Sequence, residues 1–315
     1  MPKVKGKATW TVPAFQKHER HLWTVAYRMT GSAADADDVV QETFARALDR
    51  PPARLDQPVR PWLTTVAVNL ARDALRRRRL RSYVGPWLPT PVDSDALEAA
   101  SDPDLGVEAR YALRESVSFA FLVALEALTP QQRAVLVLRD VLDLSVRETA
   151  RALRLGEASV KTSHHRARRA LAAYDATRRP PDAGRTAEHG ERLQRFLWAL
   201  AQQDAAALCA CLRGDARSVT DGGGEYVAAL RPVRGRDRVV RFLIGLQRKG
   251  QWTGRFALRS MNGAPALCAD FTSPHRRFAP RIVLRCEFDG EGQIAEVQII
   301  LAPRKLARVT PVAEP

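Results

Sequence analysis

The stretch GPWLPTPV, residues 85–92, cuts the chain in two as far as helices are concerned. Pro86, Pro89 and Pro91 each hold φ at about −65° and press the residue before them toward extended backbone. No helix passes through such a segment, so the helical stretches on either side are separate elements that it joins. A tether built for freedom would be polar and rich in Gly and Ser. This one is stiff and carries Trp87 and Leu88, whose apolar surface costs about 25 cal/mol per Å² to leave in water. A strap of this kind calls for a surface to lie on.

Residues 14–82 read as helices. Phe15, Leu22, Trp23, Ala26 and Tyr27 recur at helical spacing, Gly31 stops that segment, and Ser32 with Asp35 forms an N-cap signature. A helix over roughly 33–49 puts Val40, Phe44 and Ala47 on one face and Asp37, Asp38, Gln41 and Glu42 on the other. Pro51-Pro52 ends it, and a third segment runs from Pro61-Trp62 through Asn69 into Arg76-Arg77-Arg78-Arg79. Beyond the strap lies an acidic stretch (Asp93, Asp95, Glu98, Asp102, Asp104), and helices resume near Val107. Thr129-Pro130-Gln131-Gln132 and Ser145-Val146-Arg147-Glu148 are capping boxes. The second opens a short helix to about Leu153, a tight turn at Leu155-Gly156, and a basic helix over about 158–173.

From about residue 187 the period changes. An amphipathic segment (Leu193, Phe196, Leu197, Leu200) precedes alternating strand-like runs. Asn262-Gly263 is a strong hairpin signal, and Asp289-Gly290 marks a second turn. This part reads as an α+β domain.

The net charge of +15 points to a polyanionic partner without locating the site. No apolar run approaches the roughly 18 residues of a spanning helix, and the basic start MPKVKGKATW has no apolar core of a signal peptide. The expectation is a cytoplasmic protein that makes no membrane contact. Cys209, Cys211, Cys268 and Cys286 lack metal-ligand spacing and read as free thiols. Neither a metal nor a cofactor is expected.

Capping box, turn and basic helix together define a helix-turn-helix. Ala150 is small where the helices approach, and Val160 plugs the second into the first. That second helix offers Lys161, Thr162, Ser163, His165, Arg166, Arg168 and Arg169: polar groups for base edges and arginines for phosphates. The segment with Trp62, Asn69 and Arg76–Arg79 combines aromatic, polar and basic groups, which suits partly single-stranded DNA. An acidic face at Asp37, Asp38, Gln41 and Glu42 would repel DNA and fits a basic protein partner.

Taken in order, DADDVVQETFARAL, RPWLTTVAVNLARDALRRRR and the 44-residue run from Leu128 to Leu171 resemble regions two and four of a bacterial extracytoplasmic-function sigma factor. The resemblance implies that Asp37, Asp38, Gln41 and Glu42 dock on the clamp helices of core RNA polymerase, with region four meeting its flap. Trp62, Asn69, Arg72 and the Arg76–Arg79 run would melt and read the −10 element of promoter DNA. Lys161, Thr162 and Arg166 would read the −35 element. GPWLPTPV is similar to the Trp-Leu-Pro-Glu-Pro linker motif of the sigma subgroup with a SnoaL-like extension, with Thr90 in place of Glu. That subgroup also carries Asp-Gly-Gly-Gly, matched by Asp221-Gly222-Gly223-Gly224, and Asn-Pro-Asp-Lys-Leu, which stands here as APRKL with Ala302 and Arg304 departing. The expected regulatory contact joins Trp87, Leu88 and Pro89 to Asp221–Gly224 and to Lys305 and Leu306.

The fold class expected is therefore multidomain: two all-α domains, the second a helix-turn-helix, followed by an α+β SnoaL-like (NTF2-like) cone. The boundaries are 13–82, a linker 83–106, 107–175, a second linker 176–186, and 187–306. The function expected is promoter-specific initiation regulated in cis by the last domain, whose cone is suited to a small-molecule ligand. Two alternatives stay open, a ligand-sensing helix-turn-helix regulator and a SnoaL-type enzyme fused to a DNA-binding module. No catalytic residue is assigned, since nothing in the sequence brings Asp221 and His275 together.

Overall fold

The computed structural model describes residues 12–52, 58–81, 83–99, 115–177, 183–249, 253–272 and 277–313. Asp102, Asp104, the expected helix start near Val107 and His275 lie outside them. The chain folds as two compact units. One comprises Met1–Leu80, Ala99–Ser116 and Ala124–Ala176; the other comprises Arg81–Glu98, Val117–Val123 and Thr177–Pro315. The strap thus belongs to the same unit as the C-terminal domain.

The first unit is helical. Helices α1 (Val12–Thr30), α2 (Ala33–Asp49) and α3 (Val59–Leu80) pack on Leu22, Val25 and Tyr27, on Val39, Val40 and Ala47, and on Leu63, Ala67 and Leu75. Gly31, at φ +65°, lets the chain reverse after α1, and its N–H donates to Tyr27 O; Ser32 then caps α2 by accepting from Asp35 N. On α2, Phe44 is only half-buried, while Ala33, Ala36 and Thr43 share the core face with Val39, Val40 and Ala47.

Two short helices, α4 (Ser94–Ala99) and α5 (Phe119–Ala124), fall almost wholly in the segments of the second unit, Arg81–Glu98 and Val117–Val123, and the helical unit resumes after α5. Helix α6 (Pro130–Leu136) begins with the Thr129–Gln132 capping box and loosens into a π turn at Val137–Val141. Helix α7 (Val146–Leu153) carries the Ser145–Glu148 box, and α8 (Glu157–Ala170) and α9 (Ala172–Thr177) complete the unit. The helix-turn-helix turn differs from its expectation in one respect. The left-handed residue is Arg154, at φ +55°, whereas Gly156 is an extended N-cap.

The second unit is α+β. Helices α10 (Ala183–Ala201) and α11 (Ala205–Cys211) lead into β1 (Leu212–Asp221), followed by β2 (Val233–Arg234), α12 (Arg236–Lys249), β3 (Gly254–Met261), β4 (Ala264–Phe271), β5 (Arg281–Phe288), β6 (Ile294–Ile300) and α13 (Pro303–Leu306). The sheet runs β2-β1-β6-β5-β4-β3; β1 and β6 are parallel and the other pairs antiparallel. Asn262 and Gly263, at φ +52° and +78°, form the two-residue turn of the β3–β4 hairpin as expected. The β5–β6 connection is longer than an Asp-Gly turn: Asp289 N donates to Gln293 O, and Gly292 takes the positive φ.

Strand alternation gives the sheet two working faces. Leu284 and Cys286, Val297 and Ile299, and Ala269 and Phe271 pack with α10, α11 and α12. Val219, Cys268, Val283 and Ile300 face the other way, onto Leu88, Phe119, Leu306, Val309 and Val312. All four cysteines are free thiols; burial pushes Cys268 up to about 11 and Cys286 higher still.

Candidate functional site

Helix α8 divides cleanly by angle. At about 100° per residue, Val160, Ser163 and Ala167 fall on one side, and all three are buried. Lys161, Thr162, His165, Arg166, Arg168 and Arg169 are exposed on the other. Ser163 is therefore a correction to the expected reading set: it accepts a hydrogen bond from Gln131 Nε2 at 2.9 Å, inside the unit. Arg168 is drawn toward Asp140 at 2.8 Å, and His164 lies 2.6 Å from the same carboxylate. The exposed face that remains is Lys161, Thr162, His165, Arg166 and Arg169, with the Thr162 hydroxyl donating to Ala158 O one turn back at 3.0 Å.

On α2 the expected quartet splits. Asp38, Gln41 and Glu42 are exposed, with Glu42 held by Arg46 one turn on at 2.8 Å. Asp37 is half-buried and accepts from Trp23 Nε1 at 2.8 Å, which ties α2 to α1.

The α3 residues are the surprise. Asn69 Nδ2 donates to Ala152 O at 2.9 Å, and Arg72 donates to Leu153 O at 3.3 Å, so both reach the end of α7 in the helix-turn-helix. Burial, then the neighbouring Arg76, hold the Arg72 guanidinium below its ordinary range. Arg78 grips both oxygens of Glu126 at 2.7 and 2.8 Å and also donates to Thr30 O, while Arg79 reaches Leu128 O. Trp62 is half-buried; Arg76 and Arg77 are exposed. Of the basic run, then, Arg76, Arg77 and Arg79 are exposed and Arg78 is half-buried, while Arg78 and Arg79 are the two that bond within the unit. Their partner site has a buried centre that the sequence reading missed: Arg133, 2% exposed, donates to Leu125 O, Met29 O and Glu126. Burial pushes its guanidinium down to about 10 against the pull of Glu126.

The strap lies on the sheet. Leu88, 2% exposed, packs with Phe119, Val219, Met261, Ile300 and Leu306. Asp221, fully buried at the end of β1, gathers four donors. Its Oδ1 accepts from Tyr83 Oη at 2.5 Å and Gly223 N at 3.2 Å, and its Oδ2 from Leu88 N at 2.7 Å and Lys305 Nζ at 2.5 Å. Lys305 also donates to Leu88 O and stands over the Trp87 ring at 4.2 Å. The glycines serve the close approach: a Cβ on Gly223 would sit 3.1 Å from Ala302, one on Gly224 3.1 Å from Val84, and both have positive φ. Of the tail, Lys305 and Leu306 are buried and Arg304 is exposed.

A second hold, not foreseen from sequence, secures the strap's far end. Val92 N donates to Asn262 Oδ1 and Asn262 N to Val92 O, both at 2.9 Å, while Asn262 Nδ2 donates to Val117 O. Asn262-Gly263 signals a hairpin from sequence, yet the same side chain is a clamp. The opposite face of the sheet bounds a cavity of about 720 Å³, lined by apolar side chains from α10, α12 and the strands.

These geometries find their counterparts among known proteins. Residues 14–81 match the model of Sigma-70 region 2, and residues 118–171 that of Sigma-70 region 4. The ECF RNA polymerase sigma factor SigJ of Mycobacterium tuberculosis is 37% identical over 288 residues, covering 89% of this chain and 88% of the relative. The ECF RNA polymerase sigma factor SigG of the same organism is 37% identical over 177 residues, covering 50% of this chain and 46% of that one. The crystal structure of SigJ superposes with a TM-score of 0.69 at 29% identity, covering 96% of this chain and all of that one. Sigma-70 regions 2 and 4 in one chain define a transcription initiation factor. The chain belongs to the extracytoplasmic-function sigma factors of RNA polymerase.

Arg166 offers a direct reading of the recognition face. Arg166→Ala should lose about 1–3 kcal/mol of discrimination at one base pair of the −35 element if the side chain reads a base edge. Equilibrium binding to a panel of single-base promoter variants measures this; an equal loss on every variant would make Arg166 a phosphate contact.

Proposed function

We propose that this sigma factor exists in a closed form whose promoter readers are partly engaged internally, and that the strap-holding domain governs its opening. The observation that carries this is the double engagement of Asn69 and Arg72 with the Ala152 and Leu153 carbonyls. A residue donating to backbone of the −35-reading unit is not free to meet a −10 base. Core polymerase, engaged through Asp38, Gln41 and Glu42 on its clamp helices and through the helix-turn-helix on its flap, separates the two readers. Lys161, Thr162, His165, Arg166 and Arg169 then enter the −35 major groove, with Trp62, Asn69, Arg72, Arg76 and Arg77 at the −10 element. With Tyr83, Leu88 and Val92 all bonded to the sheet domain, the linker between the readers has little slack in that segment, so the domain sets their reach.

A regulatory rather than catalytic role for that domain is supported by where its acid points. Asp221 is consumed by the strap, on the face opposite the cavity, and the described cavity lining holds no charged side chain. The cavity is read as a small-molecule site, and the protein as cytoplasmic.

The test is association with core polymerase and run-off transcription. Asp38→Lys with Glu42→Lys should abolish co-purification with core and promoter-specific transcripts while leaving the far-ultraviolet spectrum unchanged. Retained co-purification would remove α2 from the docking surface.

A further inference from the structure

The face of the sheet that the strap does not use closes on a cavity with a specific chemistry. Strand β1 turns Val219 and Asp221 toward the strap, and Ala216, Ser218 and Thr220 toward the helices. Thr220, 2% exposed, lines the cavity, and its hydroxyl has no hydrogen-bond partner among the described residues. A buried hydroxyl left without a partner costs about 1–3 kcal/mol, which a ligand oxygen bonded to it would recover. Around it the lining is almost wholly aliphatic and aromatic, with only Gln194 and Gln247 adding polar side chains. Three lining residues, Trp198, Val227 and Phe256, are large, apolar and exposed, Trp198 by 70%. They belong to the cavity and leave its rim apolar. At about 720 Å³ it falls within the range of sites that bury a drug-sized molecule.

We infer that this cavity binds an uncharged, largely apolar molecule bearing a hydroxyl or carbonyl oxygen that meets Thr220, and that its occupation tightens the hold on the strap. An ionised ligand is excluded on energetic grounds, since no described lining residue offers it a counter-charge. The link to the strap is one short loop. Gly223 lies near Tyr83, Gly224 against Val84 and Leu230 near Gly85, whereas Val227, Ala228 and Ala229 form part of the cavity wall and Gly222 lies against Ala228. A ligand pressed against 227–229 braces the same loop that carries the strap contacts, and Thr220 adjoins Asp221 directly in the chain. This inference deepens the small-molecule and cis-regulatory readings above and rests on them for its consequence.

The experiment uses the full chain and the hydrocarbon fluorophore 1,6-diphenylhexatriene. Fluorescence should rise saturably with one probe per chain, and n-dodecanol should displace it at least tenfold more effectively than dodecanoate. Thr220→Val should leave the hydrocarbon probe unaffected while weakening dodecanol several-fold, as loss of one hydrogen bond requires. Ala201→Trp, at an exposed lining position, should lower probe affinity at least tenfold with an unchanged melting temperature. Bound dodecanol should also slow amide exchange across residues 83–92. No saturable binding, equal competition by dodecanoate, or full binding by Ala201→Trp would overturn the site. Binding with unaltered exchange in the strap would overturn the coupling. Because the binding arm reads no transcription, its failure is distinguishable from failure of cis-regulation, which an Asp221 variant tests with no ligand present.

Discussion

Asp221→Ala should destabilise the α+β unit by about 3–5 kcal/mol and free the strap, the largest single-residue effect expected there. The carboxylate is fully buried and serves four donors, one of them the Lys305 ammonium, which is itself 9% exposed. Removing it leaves a buried cation near Leu88 O and the Trp87 and Tyr83 rings with its paired carboxylate gone, and leaves the Leu88 N–H without its acceptor. Removing both charges is a different experiment: Asp221→Asn with Lys305→Met eliminates the uncompensated cation and should recover part of the loss. Urea unfolding read by hydrogen exchange, peptide by peptide, reports this unit apart from the helical one. Exchange in 83–92 should rise sharply in Asp221→Ala. A loss under about 1 kcal/mol, the size of an exposed pair, would mean that the strap is held by apolar contact alone.

Glu126→Ala should cost the helical unit about 3 kcal/mol, because it strips the carboxylate from a guanidinium that is 2% exposed. Arg133 would keep its bonds to Leu125 O and Met29 O, and Arg78 its bond to Thr30 O, but both would lose this carboxylate. Both arginines join α3 or the α1 terminus to the region that carries α6, so the same change should loosen the hold on Asn69 and Arg72. In the closed form proposed above, weakening the hub would raise the open population in proportion to the free energy removed. Free Glu126→Ala protein should therefore bind a single-stranded −10 oligonucleotide several-fold more tightly than the parent. Thermal unfolding gives the stability and fluorescence anisotropy the affinity. Lower stability with no gain in oligonucleotide binding would separate the hub from the gating of α3.

Both predictions turn on residues whose type was visible and whose duty was not. Lys305 and Asp221 were expected at the strap through motifs, but the single carboxylate that binds Tyr83, Leu88 and Lys305 together joins positions 83, 88, 221 and 305, and no periodicity links those. Arg78 and Arg79 read as part of a basic run over Arg76–Arg79. Along α3 the run sweeps the whole circumference, so some of its members must face the body of the unit. Which ones do depends on the neighbour, here Glu126 and Leu128 O. Ser163 shares the angle of Val160 and Ala167, so helical geometry alone puts it on the buried side of the basic helix rather than with the groove-facing residues.

What the sequence determined by itself was local. Capping boxes at Thr129 and Ser145, the stop at Gly31, the two-residue turn at Asn262-Gly263 and the change of period after residue 187 depend on contacts within a few positions, and each formed as its chemistry requires. The prolines of the strap likewise settled that segment as non-helical. What only the tertiary structure decided was the pairing of groups far apart in the chain: the strap with Asp221 and Asn262, Asn69 with the α7 carbonyls, and Thr220 turned into a cavity while its neighbour Asp221 is turned away from it. A pleated strand sends successive side chains to opposite faces, but which face meets the strap and which closes on apolar space is set by the other elements that cover them.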